Sequence, residues 1–334
     1  MTSTLVAKSS IKNQSLIQFL VPASKRTISI LSMVASFVEE YQFCTNWNAL
    51  EHKGWRLPAT QEKHYWCGLW NRIGCLNEEL HEKLGKGRRV YVKQFQRCCY
   101  RASCKECYTK WIARQANVAT RKIEYYSKKT NLKPIHLILC IPPSQFSLPE
   151  EKLRERMTGV LKKAQWQGGA VIFHPFRFDK TNRIWYYAPH FHLVGFGYRF
   201  QISQAFGKYG WFIKIAEERE SVFQTFCYLL SHCGIKKGKH TVTWSGNLSY
   251  SKLKLEKVPK ITCCPVCGGE FMPIYHDGIH PVVPPDIPYE GLVDSDGDWY
   301  TVETKPKSEW TKQDRYDYVL TRELYDANNG ISVV

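Results

Sequence analysis

Pro189-His190-Phe191-His192-Leu193-Val194-Gly195 is the stretch on which the fold of this chain turns. Its residues alternate between imidazole and bulky apolar side chains. In a strand, residues i and i+2 point to the same face. His190 and His192 therefore project side by side, and Phe191 turns into a core. Two imidazoles held on a rigid strand make half of a divalent-metal site. A lone His-x-His is more often a pair of exposed strand histidines, so the neighbouring segments carry the argument.

The strand that holds the two histidines reads as Ile184 to Gly197. Asp179-Lys-Thr-Asn182 is a turn, and Ala170 to Phe178 is the strand before it. Further upstream, Pro134 to Ile141 is an apolar strand stopped by Pro142-Pro143. Leu148 to Trp166 is a helix with Pro149 in its first turn, ended at Gly168-Gly169. Downstream come a strand at Trp211 to Ala216, a helix at Glu217 to Cys233 closed by Gly234, and a strand at Lys239 to Trp244. The order strand, helix, strand, strand, strand, helix, strand predicts an α+β fold. It is a largely antiparallel five-stranded sheet with helices packed on one side. Cys104 to Lys129 is helix-like. Trp111, Ala113, Ala116, Val118, Ala119 and Ile123 supply its apolar face, and Arg114, Arg121 and Lys122 a basic one. Thr27 to Glu40 has amphipathic spacing too.

The chain has 334 residues, of which 14 % are aromatic. Lys and Arg total 47 against 30 Asp and Glu, for a formal charge of +17. Residues 286–334 hold 11 acidic and 5 basic side chains, which leaves +23 on residues 1–285. A body this basic and aromatic suits nucleic acid, where cations meet phosphates and rings stack on unpaired bases. No basic segment joined to a long apolar run opens the chain. No stretch approaches the roughly 18 apolar residues of a membrane span. The 13 cysteines, several in C-x-x-C spacing, therefore read as thiolates on zinc in a reducing cytoplasm, with no membrane partner.

Cys99-x4-Cys104-x2-Cys107 supplies three thiolates for a structural zinc, with Cys98 as the alternative first ligand. Cys67, Cys75 and His81 are the upstream candidates, ahead of His64. The region lacks periodic pattern, so zinc is expected to staple it. Cys264-Pro-Val-Cys267-Gly-Gly is half of a zinc ribbon. His276 and His280 are candidates to complete it, with Cys263 as a spare. These features divide the chain into an N-terminal extension at 1–40, a Cys/His-rich zinc-binding region at 41–110, a catalytic domain at 111–250, a small zinc element at 251–285 and an acidic tail at 286–334.

The helix before Gly234 carries Tyr228 and His232 at i and i+4, on one face. A tyrosine becomes a nucleophile when it loses its proton and the electrophile is activated. His232 can take that proton or protonate a leaving oxygen. His174 is the favoured third metal ligand. If Asp179 to Arg183 is the hairpin turn, residue 174 lies near 188 and shares the face of His190. A slip of one residue sends it to the other face. His136 is the weaker alternative, read as core-facing or edge-bound. Gly234-Ile-Lys-Lys-Gly-Lys-His-Thr241 is one residue short of a phosphate-binding loop and reads as a basic loop beside DNA.

Taken together, these segments resemble the HUH endonuclease superfamily, and within it the rolling-circle replication initiators of archaeal plasmids and viruses. Ile135-His-Leu-Ile-Leu139 is similar to its apolar first motif, His190-Phe191-His192 to its second, and Tyr228 to its third. Phe173-His-Pro-Phe-Arg177, Tyr228-Leu-Leu-Ser-His232 and Val242-Thr-Trp-Ser-Gly246 are similar as well. The resemblance spans about residues 95 to 250. It implies an HUH/RRM-like sheet, a catalytic Mg2+ or Mn2+, and Tyr228 as nucleophile on single-stranded DNA at a replication origin. The tyrosine would stay on the 5′ phosphate, leave a 3′ hydroxyl for a host polymerase, and later reseal the strand. No helicase segment is visible, so a host helicase is implied. Position 224 is Gln where many relatives carry a second tyrosine, and His232 stands where others have Lys. A transposase of the same superfamily and a non-catalytic zinc-containing DNA-binding regulator are the rival readings.

Overall fold

The computed structural model describes residues 46–215, 221–256, 262–276, 288–295 and 299–301. In chain order these form β1 Glu51–His52, β2 Trp55–Arg56, β3 Trp70–Cys75, α1 Glu78–Lys83, β4 Arg89–Gln96, α2 Tyr108–Thr130, β5 Ile135–Cys140, α3 Glu150–Lys163, β6 Gly168–Asp179, β7 Ile184–Phe196, α4 Arg199–Gly207, β8 Phe212–Ile215, α5 Val222–Ser231, β9 Val242–Gly246, β10 Met272–Pro273, β11 Tyr275–His276, β12 Tyr289–Asp294 and β13 Trp299–Tyr300. The fold is α+β. The amphipathic segment at Thr27 to Glu40 lies outside the described residues.

The chain divides into two compact units. The larger is built around a five-stranded sheet in the order β8-β5-β7-β6-β9, antiparallel at every described pairing. Alternation gives the sheet two different faces. Leu137, Leu139, Val171, Phe173, Phe191 and Leu193 share one face and join the main hydrophobic core. Leu153, Met157, Val160 and Leu161 of α3, at helical spacing, fill the other side of that core. Trp166, just past α3, needs the strands bare beneath it. A Cβ at Gly169 or Gly195 would stand 2.7 or 2.8 Å from its indole.

The opposite face carries His136, His174, His190, His192 and Trp244 and is covered by other helices. Ring contacts place α5 and α2 there, through His232 against His174 and Lys122 against Trp244. Helices thus cover both faces, not one. The α2 helix buries Trp111, Ile112, Ala116, Ala119 and Ile123 and stops at Asn131, whose left-handed φ of 56° closes its C-terminus. The α5 helix starts at Ser221, whose side chain accepts the Gln224 N–H at 3.1 Å. The sequence missed α4 between the third and fourth strands.

The smaller unit is a separate four-stranded sheet, β10-β3-β4-β12. Val90, Val92, Ile274, Val293 and Trp299 form its core. Its existence corrects the expected domain boundaries. Trp70–Gln96 leaves the 41–110 region to pair with segments beyond residue 261. Residues 289–294, expected in an acidic tail, are a strand against β4, with Asp294 paired to Arg89 and Glu290 to Lys93. The alternation of Val90, Val92 and Gln94 carried that strand signal. Among the described residues, no helix is long and apolar enough to cross a membrane.

Candidate metal and nucleophile site

Three imidazoles converge on one sheet face. One ligand nitrogen each from His174, His190 and His192 lies within 4.8 Å of the others. His190 and His192 arrive by simple alternation along β7. His174 arrives by an irregularity. Near the turn Asp179 pairs with Ile184 and Phe176 with Tyr187, but beyond Pro175 the register shifts so that His174 stands opposite His190. Unshifted, His190 would face Phe173. A proline has no N–H to give a ladder, so it is tolerated where the ladder breaks. The expected neighbour of residue 174, position 188, missed this bulge.

The surroundings fit a divalent cation. All three histidines are buried. Burial, then neighbouring positive charge, holds every one well below the usual histidine pKa, His190 at about 3 with help from Arg177. They are therefore neutral at pH 7, the form that binds metal. Both ring nitrogens of His174 are buried and make no well-formed hydrogen bond among the described residues, though the Leu229 backbone lies near enough to interact with the ring. Leaving such a group unsatisfied costs roughly 1–3 kcal/mol, which a bound cation would remove. His190 Nδ1 donates to the Ala188 carbonyl at 2.9 Å, so its Nε2 carries the lone pair. His192 Nδ1 shares a hydrogen at 2.9 Å with His136 Nε2. His136 therefore acts behind a ligand, orienting it. It faces this site and not the core, as the alternation of His136, Ile138 and Cys140 with Leu137 and Leu139 could have shown. Sequence reading also passed over Arg177, which donates to Cys140 Sγ at 3.1 Å beside His190.

Tyr228 reaches this cluster through one ring. Its centroid is 4.8 Å from that of His232, and His232 is 4.8 Å from His174. Tyr228 is half-buried, with Phe226, Cys227, Leu229 and Leu230 around it in the packed part of α5. Ser231 Oγ donates to the Tyr228 carbonyl at 2.7 Å and so accepts from His232 Nδ1 at 3.1 Å. That leaves the lone pair of His232 on Nε2.

The cysteines form two further groups, each with ligand atoms within 4.8 Å of one another, and each could hold a metal such as zinc. Cys67, Cys99, Cys104 and Cys107 make a tetrathiolate set at the start of α2. Cys75, His81, Cys264 and Cys267 make a mixed set. Cys75 and His81 therefore leave the partners expected for them and join the C-x-x-C from the far end of the chain. The donor set is tight. His81 Nε2 is 3.2 and 3.4 Å from the Cys267 and Cys264 sulfurs, and its Nδ1 donates to the Arg89 carbonyl at 2.6 Å. The Val266 and Gly269 N–H groups point at the Cys264 and Cys267 sulfurs, the turn geometry that favours thiolates. His276 is not a ligand of this group. Its strand pairs with β13 and its ring lies edge-on to Trp299 at 4.8 Å. His280 lies outside the described residues. Compared with protein-family models, with curated proteins and with solved structures, the chain matches none.

Proposed function

We propose that this chain nicks and rejoins single-stranded DNA as a rolling-circle replication initiator of the HUH type, with Tyr228 as nucleophile. The observation that carries the proposal is the convergence on one sheet face of three neutral buried imidazoles and a helix-borne tyrosine one ring away. His174, His190 and His192 would hold a catalytic Mn2+ or Mg2+. When bound, that cation polarises a phosphoryl oxygen and offsets charge in the transition state.

The residues supply the rest. Arg177 offers a guanidinium beside His190, suited to phosphate oxygens. His232 Nε2 accepts the phenolic proton of Tyr228 as its oxygen bonds to phosphorus. The bond from phosphorus to the 3′ oxygen breaks, and that oxygen takes a proton to become the 3′ hydroxyl. The reverse sequence reseals the strand. The two cysteine groups would each hold a structural zinc. A host polymerase would extend the 3′ end, and a host helicase would open the duplex. On this reading the protein would act in the cytoplasm of its host cell.

The test is direct. Purified protein with Mn2+ should cut an origin-derived single strand and leave a covalent protein–DNA adduct. Tyr228→Phe should bind DNA and form no adduct. An adduct mapped to another tyrosine, or cutting that survives His190→Ala with His192→Ala, would refute the assignment.

A further inference from the structure

The face that carries the histidines continues past them. His192 stands opposite Ile172, and Ile172 opposite Val242. One residue pair along, Val194 stands opposite Ala170, and Ala170 opposite Trp244. Directly opposed residues share a face, so the Trp244 indole lies on the face of the metal ligands. Two strand spacings and one residue pair put it roughly 12 Å from His192. There β9 is the outer strand of the sheet.

A groove of about 260 Å³ opens at that edge, lined by Trp111, Val118, Ala119, His240, Trp244 and Tyr250. The lining has no carboxylate. Its tyrosine is more than half exposed, and Trp244 is partly so. Lys122 sits behind these rings. Its ammonium lies 4.6 Å from the Trp244 centroid and 5.3 Å from the Tyr250 centroid. Lys122 as a whole residue is 6 % exposed. Burial pulls its pKa below the usual lysine value, yet the described residues give it no carboxylate within ion-pair distance. Ring faces partly offset the desolvated charge; an anion would complete it. The basic loop Lys236-Lys237-Gly238-Lys239 leads from Gly234 at the metal site to this groove. The neighbouring cleft over α3 mixes Glu150, Glu151 and Glu155 with Arg154, Lys162 and Lys239, and each glutamate is ion-paired, so it offers a phosphate chain no net attraction.

We propose that this groove holds the single strand flanking the cleaved bond, with bases stacked on Trp244 and Tyr250 and a backbone phosphate on Lys122. The proposal rests on the nicking reading for the identity of the strand. It adds a place where the strand is gripped away from the reacting phosphate. Base–aromatic stacking tolerates any sequence, so the groove would contribute affinity and direction, not recognition of particular bases.

The test uses full-length Tyr228→Phe protein and fluorescent single-stranded DNA, titrated by anisotropy over a range of salt. Trp244→Leu and Tyr250→Leu should each weaken binding by about 5- to 150-fold, the cost of one lost stack. Lys122→Met should lower the slope of log affinity against log salt by about 0.7, one phosphate contact on a single strand. Folding is controlled without any variant by photocrosslinking the parent to iodouracil DNA. Crosslinks should map to the peptides holding Trp244 or Tyr250. Crosslinks elsewhere, with parent-like affinity and slope in the variants, would overturn the groove. The two readings fail separately. If wild-type protein forms the adduct but the groove variants bind like the parent, the groove is wrong and nicking stands. If groove-dependent binding is seen and wild-type protein forms no adduct, the groove stands and nicking is wrong. Binding to RNA with no binding to single-stranded DNA would overturn both.

Discussion

Gly234→Ala should damage the metal site without touching a ligand. Gly234 follows α5, and its N–H bonds the Phe173 carbonyl at 3.0 Å. A Cβ there would overlap Pro175 Cδ and stand 2.9 Å from Pro175 Cγ and 3.0 Å from Trp55. The proline ring is rigid, so the strain falls on the bulge that sets His174 opposite His190. Overpacking of this kind costs about 1–3 kcal/mol. In a unit of this size that lowers Tm by about 2–12 °C. Loosening the support of a ligand typically weakens metal binding about 10- to 100-fold. Differential scanning fluorimetry of the metal-free protein reads the first effect, and calorimetric titration with Mn2+ the second. His174→Ala sets the scale for complete loss of the third ligand. If Gly234→Ala melts earlier but binds Mn2+ within twofold of the parent, the bulge does not position the site.

Gly159 is the opposite case. It is exposed inside α3, and an added Cβ meets nothing within 4 Å. Gly159→Ala should therefore stabilise by about 0.5–1 kcal/mol, read as a higher Tm; an unchanged or lower Tm contradicts the helix assignment. Metal analysis should find two zincs per chain. Cys67→Ser and Cys75→Ser should each remove one, and loss of both from either substitution would contradict the separation of the two groups. Acid should weaken the metal-free protein through the histidine cluster. Unfolded histidines take a proton near pH 6.5, while the native ones stay neutral to well below that, His190 to about 3. The unfolded state then binds more protons, so stability falls as pH drops below about 6.5, by about 1.4 kcal/mol per pH unit for each histidine. Urea midpoints at pH 7 and pH 5 measure the slope, and His190→Gln should reduce it by one proton.

Short-range pattern made much of this molecule legible. The alternation around His190, the Pro142-Pro143 stop and the turn at Asp179 locate three strands of the main sheet to within two residues. The i, i+4 spacing of Tyr228 and His232 holds on α5. The rest depends on partners that sequence distance hides. Nothing near Cys75 announces Cys264, because the strands that bring them together pair across nearly two hundred residues. The bulge at Ala188-Pro189, opposite Pro175, leaves no trace in a hydrophobic pattern, yet it decides whether His174 shares the face of His190. Alternation alone puts His136 on the face of the ligands, but its hydrogen bond to His192 is a cross-strand contact that the sequence does not announce.

The smaller unit leaves the main chain and returns at a closed neck. Gly68 N–H bonds the Arg97 carbonyl at 3.1 Å, and Arg97 N–H bonds the Leu69 carbonyl at 2.7 Å. Residues 70–96 are thus a loop whose two ends already touch. A protein cut short after β9 would keep that loop while losing β10, β12 and two of the three sulfur ligands of its mixed set, and would expose Val90 and Val92. Splicing Leu69 directly to Arg97 and ending near residue 256 is the cleaner dissection, since it removes every described residue of the smaller unit and leaves the tetrathiolate, the histidines and Tyr228 together in the larger one.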